Sequence, residues 1–445
     1  MRAYLDILKL VWPLALGMVN NALMQFVDRA YLARDSMESL EAVMPAGMLA
    51  WIFMGLFQSV VGYSGVFVAQ YHGSQNEANC RATYRVALWL SLFAGMFSIP
   101  LLPFGKWIFS FTASSESLFA RECAYYDIMI LGGIFVYGYM AAVSYFTGRG
   151  KTRIVFWIGL LGNIINIALD PILIFGWLGF PCLGIKGAAL ATVLATFIQM
   201  LILVGIIGVQ FHRSPIKERG DRALMWRLLR FGIPAGVYEV LNMTSFTIFV
   251  FVTEGVGHLE LAVSNACFTV NYMLFAPTLG FALGAQTLVG QARGRGDDKA
   301  ASRALSRTLI LGLGFVTLCC STMLVFYRPI LSIFSSDPAF HSLGLKLMMV
   351  MAAWMLFDAS DVIISGALKG AGDTRFVLYW MLFNAFVIWL PVVFIVRHYH
   401  NTMPMLWATN ILYVVLICIG SYIRWVKGKW QGIKVIEGTS ACRAR

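Results

Sequence analysis

Residues 148–153 read Gly-Arg-Gly-Lys-Thr-Arg, residues 370–375 read Gly-Ala-Gly-Asp-Thr-Arg, and the two copies lie 222 residues apart. Outward from these loops, Arg81-Ala82-x-x-Arg85 and Arg303-Ala304-x-x-Arg307 keep the same spacing. Val68-x-Gln70-x-x-Gly73 and Val289-x-Gln291-x-x-Gly294 are 221 residues apart, as are Leu40 and Leu261, and Pro13 and Pro234. A register held over this much chain with a single one-residue slip marks an internal duplication. The glycine-rich loops are not phosphate loops, because they lack G-x-x-x-x-G-K-[ST] and follow no strand.

What lies between the repeated marks is apolar. Of the 445 residues, 59% are hydrophobic and 13% charged, with a mean hydropathy of +0.74, where a soluble domain carries about 25% charged residues. Apolar runs fall at 11–33, 43–70, 84–104, 125–147, 154–178, 187–211, 228–252, 261–290, 304–327, 346–367, 376–397 and 404–426. Each is long enough to span a bilayer as a helix, which needs about 20 residues. They are too long and too evenly apolar for barrel strands. The fold class expected is all-α and integral to the membrane, with twelve transmembrane helices. Six spans per half is an even number, so both halves enter from the same side. The duplication then gives two parallel six-helix lobes related by a pseudo-two-fold axis along the membrane normal. The expected division is an N-terminal lobe at 1–211, an interlobe linker at 212–230, a C-terminal lobe at 231–427 and a tail at 428–445.

The net charge of +12 does not point to nucleic acid, because the basic residues cluster in short loops on one side. Only Arg29, Arg34, Lys106, Arg121, Lys186, Arg328, Lys346 and Arg397 fall on the other side, against the remaining 26 of 34. By the positive-inside rule both termini are expected in the cytoplasm, in a cell inner (plasma) membrane. Arg2 and Lys9 flank an apolar stretch with no small-residue cleavage site, which reads as a retained first helix. Among the eight cysteines there is no C-x-x-C pair. Cys267, Cys319, Cys320 and Cys418 lie in apolar runs as small hydrophobes, and Cys123 and Cys182 could meet on the outer face, although free thiols are expected. Trp12, Trp107, Trp177, Trp226, Trp425 and Trp430 are expected in interfacial belts. Trp51, Trp354, Trp380 and Trp389 lie deeper, where they can pack or stack on an aromatic cation.

Polar residues inside spans are costly and face a cavity or a partner. Span 1 carries Asn20, Asn21, Gln25 and Asp28; span 5 carries Asn163, Asn166 and Asp170, followed by Pro171. At ~1.5 Å per residue, Asp28 and Asp170 both lie about 25 Å from the cytoplasmic ends of their helices. Thr192 of span 6 falls at a similar outer level. Asn166 and Asp170 share one helix face. This oxygen-rich set suits a hard cation such as Na⁺. Two carboxylates close together in low dielectric also resist ionising together, so the pair could instead carry a proton. The plainer alternative places both acids at helix ends among headgroups, beside Arg29. Glu239 and Asn242 of span 7 and Asp358 of span 10 lie nearer mid-membrane, a functional position for the acids. Asp361, one turn from Asp358, could do no more than cap or hydrate. No Arg or Lys is expected deep in a span.

The pattern resembles the multidrug and toxic compound extrusion (MATE) family from Pro13 to about Trp425. Its marks are Phe26-Val27-Asp28, Val68-Ala69-Gln70-x-x-Gly73, the Gly-x-Gly-x-Thr loop before span 5, Asn166-Ile-Ala-Leu-Asp-Pro171, and Ser365-Gly-Ala-Leu-Lys-Gly-Ala-Gly-Asp-Thr374. The resemblance implies an antiporter that exports small organic, often cationic, compounds in exchange for Na⁺ or H⁺, with no other cofactor. It implies that Asp28, Asn166, Asp170 and Thr192 couple to the ion. Asp28, Asn166 and Asp170 would hold Na⁺ if that is the ion. Asp358 matches an acid that another branch of the family uses in its C-terminal lobe. That branch has a glutamate where this chain has Asn242, and here Glu239 stands one turn earlier. Glu239, Asn242, Asp358 and Asp361 are therefore candidates for a substrate site or a second ion site.

The alternative within transport is a flippase for a lipid-linked saccharide or peptidoglycan precursor, which calls for Arg and Lys in a central cleft. An enzyme is disfavoured, because no His pair, metal spacing or nucleophile constellation is legible. No nucleotide-binding domain is present. The partners expected are small organic substrates and membrane lipids, with no nucleic acid or nucleotide, and the chain is expected to act as a monomer.

Overall fold

The computed structural model describes residues 2–213 and 222–437. Residues 214–221 of the expected linker and 438–445 of the expected tail lie outside the described residues. Twelve helices are long and apolar enough to cross a membrane. In chain order they are α1 (Tyr4–Asp35), α2 (Met37–Gly73), α3 (Glu77–Thr112), α4 (Glu116–Gly148), α5 (Thr152–Ile174) and α6 (Ile185–Arg213). The second half supplies α7 (Arg222–Glu254), α8 (His258–Gly294), α9 (Asp298–Val325), α10 (Pro338–Ala371), α11 (Thr374–Tyr399) and α12 (Met403–Val426).

Most helices extend beyond their apolar runs because polar residues cap them. Asn76 accepts a hydrogen bond from the Asn79 amide, and its repeat partner Asp297 accepts one from Ala300. Ser36, Ser115 and Asp337 cap α2, α4 and α10 in the same way, satisfying amides that a helix start leaves open. The turns repeat as well. Gly150 and Gly372, the second glycines of the two loops quoted first, both have positive φ (75° and 100°), a conformation glycine takes without a side-chain clash.

The chain forms two compact units. One comprises Met1–Met18 with Val237–Arg445, the other Val19–Gly236. The boundaries therefore fall inside α1 and α7, not in the loop between the sequence halves, and they fall at repeat-related places just after Pro13 and Pro234. Within the first unit, Gly280 of α8 lies against the backbone of Leu14 and Ala15, too close for any side chain at that position. Within the second, Gly236 of α7 lies similarly against Leu56 and Val60 of α2. Each short helical piece is thus held by a close glycine contact, the glycine lying on α8 in the first unit and on the short piece of α7 in the second.

The first unit has two apolar clusters. One gathers Ile7, Leu10, Val11 and Leu14 with Phe281, Ala285 and Val289, and extends to Trp425 and Trp430. Both tryptophans were expected at an interfacial belt. They are instead buried and stacked, with ring centroids 4.3 Å apart. The chain after α12 turns back and packs on its own unit, and Arg293 clamps it by donating to the carbonyls of Gln431 and Ile433. The other cluster centres on Trp389, which stacks on Tyr413 at 4.6 Å and donates to Thr409 Oγ1. Trp389 ends a π-helical segment, Phe383–Trp389, inside α11. Pro391 offers no amide to the turn before it, which favours that irregularity. The seven described cysteines are free thiols, Cys123 buried and Cys182 exposed.

Candidate functional site

In the second unit, the helix of α5 continues past Asp170 and one residue beyond the span, to Phe175, and Gly176 caps it in the left-handed conformation. Asp170 therefore lies within the helix and is fully buried, as is Asn166, and the reading of Asp170 as a helix terminus among headgroups is corrected. Asp28 likewise lies inside α1, seven residues before its end at Asp35. The Asp28 and Asp170 carboxyls lie close enough to act directly on each other. Neither Asp170 oxygen, nor Oδ1 of Asp28, nor either polar atom of the Asn166 amide has a hydrogen-bond partner among the described residues. Pro171 has no N–H, so it leaves the Ile167 carbonyl one turn below Asp170 without its helical donor. The α1–α5 pairing is fixed one to two turns lower, where Asn163 Nδ2 donates to the Asn20 carbonyl at 3.0 Å.

Two further residues bear on this pocket. Tyr125 of α4, which no sequence pattern singled out, lies within electrostatic reach of both acids and packs in the small cluster around Leu32 and Ile174. Thr192, a candidate from span 6, donates its hydroxyl to the Ala188 carbonyl of its own helix at 3.1 Å, leaving only its lone pairs for a ligand. Gln199 is structural, because its amide donates to the carbonyls of Ile158 and Gly159. The assembly is two carboxyls, an amide and a phenol from three helices. Among the described residues no cluster of three or more His, Cys, Asp or Glu could cage a metal. Two acids sharing one site are chemically suited to a monovalent cation or a proton.

The first unit holds the other acids. Asp361 is buried and accepts from Ser365 Oγ and Ser421 Oγ, each at 3.1 Å. Asp358 is half-buried one turn away, and Tyr238 and Tyr413 are in electrostatic reach of both. Tyr413 donates to Asn242 Oδ1 at 3.1 Å, which brings α7, α10 and α12 to one place. The ordering differs from the expectation, because Asp361, read as a cap or a hydrated end, is the acid held by two hydroxyls. Glu239 is exposed and pairs with Lys369 Nζ at 3.1 Å. Lys369 itself reaches inward from the last turn of α10, its ammonium 3.9 Å from the Tyr238 ring centre.

The sequence matches the MatE family over residues 13–172 and 234–395, one stretch in each half. The chain is 26% identical over 436 residues to the probable multidrug resistance protein NorM of Thermotoga maritima, covering 96% of this chain and 93% of that protein. It is 27% identical over 400 residues to the multidrug resistance protein PmpM of Pseudomonas aeruginosa, covering 87% and 82%. Its fold superposes with a TM-score of 0.84, at 19% identity and covering 96% and 95%, on the outward-facing conformation of a multidrug resistance MATE family transporter of the MOP superfamily. Twelve membrane-crossing helices, a duplicated register and a family match in both halves lead to one conclusion: the chain belongs to the MatE family, and it is a membrane transporter and not an enzyme.

Proposed function

We propose that the chain exports small organic compounds, often cationic, by antiport against Na⁺ or H⁺, and that Asp28, Asn166 and Asp170 carry the coupling. The observation behind this is the meeting of Asp28 and Asp170 inside the span region with no protein donor for Asp170 or Asn166. Buried polar atoms left this way cost stability unless a ligand uses them. The relatives named multidrug resistance proteins supply the substrate class. Thr192 and Tyr125 line the ion's surroundings, and Asp358 and Asp361 form a second acidic site for ion or substrate. The basic end of the bundle faces the cytoplasm of an inner-membrane protein acting as a monomer.

An antiporter of this kind requires ion and substrate to weaken each other's binding by the same factor. The test is equilibrium binding of a fluorescent organic cation to detergent-purified protein, with Na⁺ titrated at fixed pH and then pH varied without Na⁺. One of the two ions should weaken dye binding in the wild type and have no effect in Asp170→Asn. Dye binding that ignores both ions, or responds equally in the variant, sinks the proposal.

A further inference from the structure

The two halves use their repeated arginines differently. Arg81 and Arg303 occupy matching positions, as do Arg85 and Arg307. In the second unit Arg81 is buried, its guanidinium 4.7 Å from the centre of the Phe211 ring. In the first unit its counterpart Arg303 is exposed, while of the second pair Arg85 is exposed and Arg307 half-buried. Arg303 and Arg307 line a cleft of about 280 Å³ together with Arg295, Ile7 and Leu288, with Asp6 at its edge. The cleft lies where α8 ends and α9 begins, beside the N-terminal end of α1.

The charges in the cleft are weakly engaged. The Arg303 side chain is 63% exposed, and its carboxylate neighbour Asp297 is 3.8 Å away, a pair that water and salt screen. Arg307 lies 5.9 Å from the Tyr4 ring centre, a contact that leaves its N–H groups able to donate. Asp6, the one acid lining the cleft, has Lys9 at 3.7 Å. Three guanidiniums therefore face a cleft whose other wall is aliphatic. Guanidinium forks match phosphate oxygens in pairs, and an apolar wall beside them suits the glycerol and upper acyl carbons of a phospholipid. We infer that this cleft binds a phosphate group through Arg295, Arg303 and Arg307, supplied either by an acidic phospholipid of the adjacent leaflet or by soluble phosphate. The inference does not depend on what the protein exports.

The test follows the thermal unfolding midpoint of the purified full chain in a neutral detergent at fixed ionic strength. Dioleoylphosphatidylglycerol, dioleoylphosphatidylcholine and inorganic phosphate are titrated separately. Phosphatidylglycerol should raise the midpoint saturably, and phosphatidylcholine should not. In R295Q/R307Q the apparent affinity should fall roughly 20- to 30-fold, at about a factor of five per arginine. K427Q/K429Q, which removes two basic residues elsewhere, should leave it unchanged. R303E alters a mostly exposed side chain and serves if the double variant does not fold; it should abolish the effect. Saturation by inorganic phosphate with the same arginine dependence would identify soluble phosphate as the source. The inference is overturned if neither phosphate source shifts the midpoint, if phosphatidylcholine acts equally, or if the arginine variants respond like wild type or like K427Q/K429Q.

Discussion

Asp28 and Asp170 draw their role from company each lacks alone. Either acid by itself would be a helix residue near a headgroup. Together, one turn above Asn166 and beside Tyr125, they make a site that one cation or one proton satisfies. Asp170→Asn is expected to lower ion-driven export roughly 5- to 150-fold, the range of a 1–3 kcal/mol coupling energy. Tyr125→Phe, which removes only a hydroxyl, should cost less. Initial rates in proteoliposomes distinguish the two, and equal losses would make the Tyr125 hydroxyl as important to the site as the Asp170 carboxyl. The two acids were legible in the sequence because depth can be counted along a helix. Tyr125 was not, being one of 17 tyrosines with no spacing to mark it. Counting rise along α7 likewise says nothing of a neighbour, and Lys369 reaches Glu239 from α10. Lys369→Met is therefore expected to weaken stability more than Glu239→Gln. It leaves Glu239 without its ion-pair partner and Asp361 without a nearby cation. Thermal unfolding of the two variants checks the order.

The helices themselves were the most readable feature, because a bilayer leaves a long apolar run no other structure. Their internal irregularities were less so. The π-helical segment of α11 depends on Pro391 together with the Asn384 side chain, which donates to the Trp380 carbonyl at 2.7 Å, and no single residue announces it. The repeated loops also diverge at one telling position. Lys151 of the first copy is Asp373 in the second, where it is buried and takes two bonds from Arg424 of α12 at 2.7 and 3.3 Å. Arg424→Ala is expected to destabilise the protein by about 2 kcal/mol, less than a fully buried pair because the arginine is partly exposed. A midpoint unchanged in Arg424→Ala would mean that water replaces the pair. Gly280→Val should cost about 1–3 kcal/mol by forcing α8 off the backbone of α1. The same midpoint measurement reads it, and a neutral result would show that the two helices separate freely there.

Duplication explains the molecule's organisation down to its turns, caps and glycine contacts. The expected lobes at 1–211 and 231–427 followed the loops, since a sequence shows breaks in hydropathy but not which neighbour a helix packs on. The compact units instead divide within α1 and α7, each unit holding a short helical piece from the other sequence half. Duplication also left each half its own acids, and the central claim is that those of the Val19–Gly236 unit drive export. The most direct measurement reconstitutes wild type and Asp28→Asn in liposomes. It follows export of a fluorescent organic cation after a Na⁺ jump and, separately, a pH jump. Export by wild type under one of the two gradients, lost in Asp28→Asn, is the predicted result. Equal export by both proteins would contradict it and move the coupling to Asp358 and Asp361.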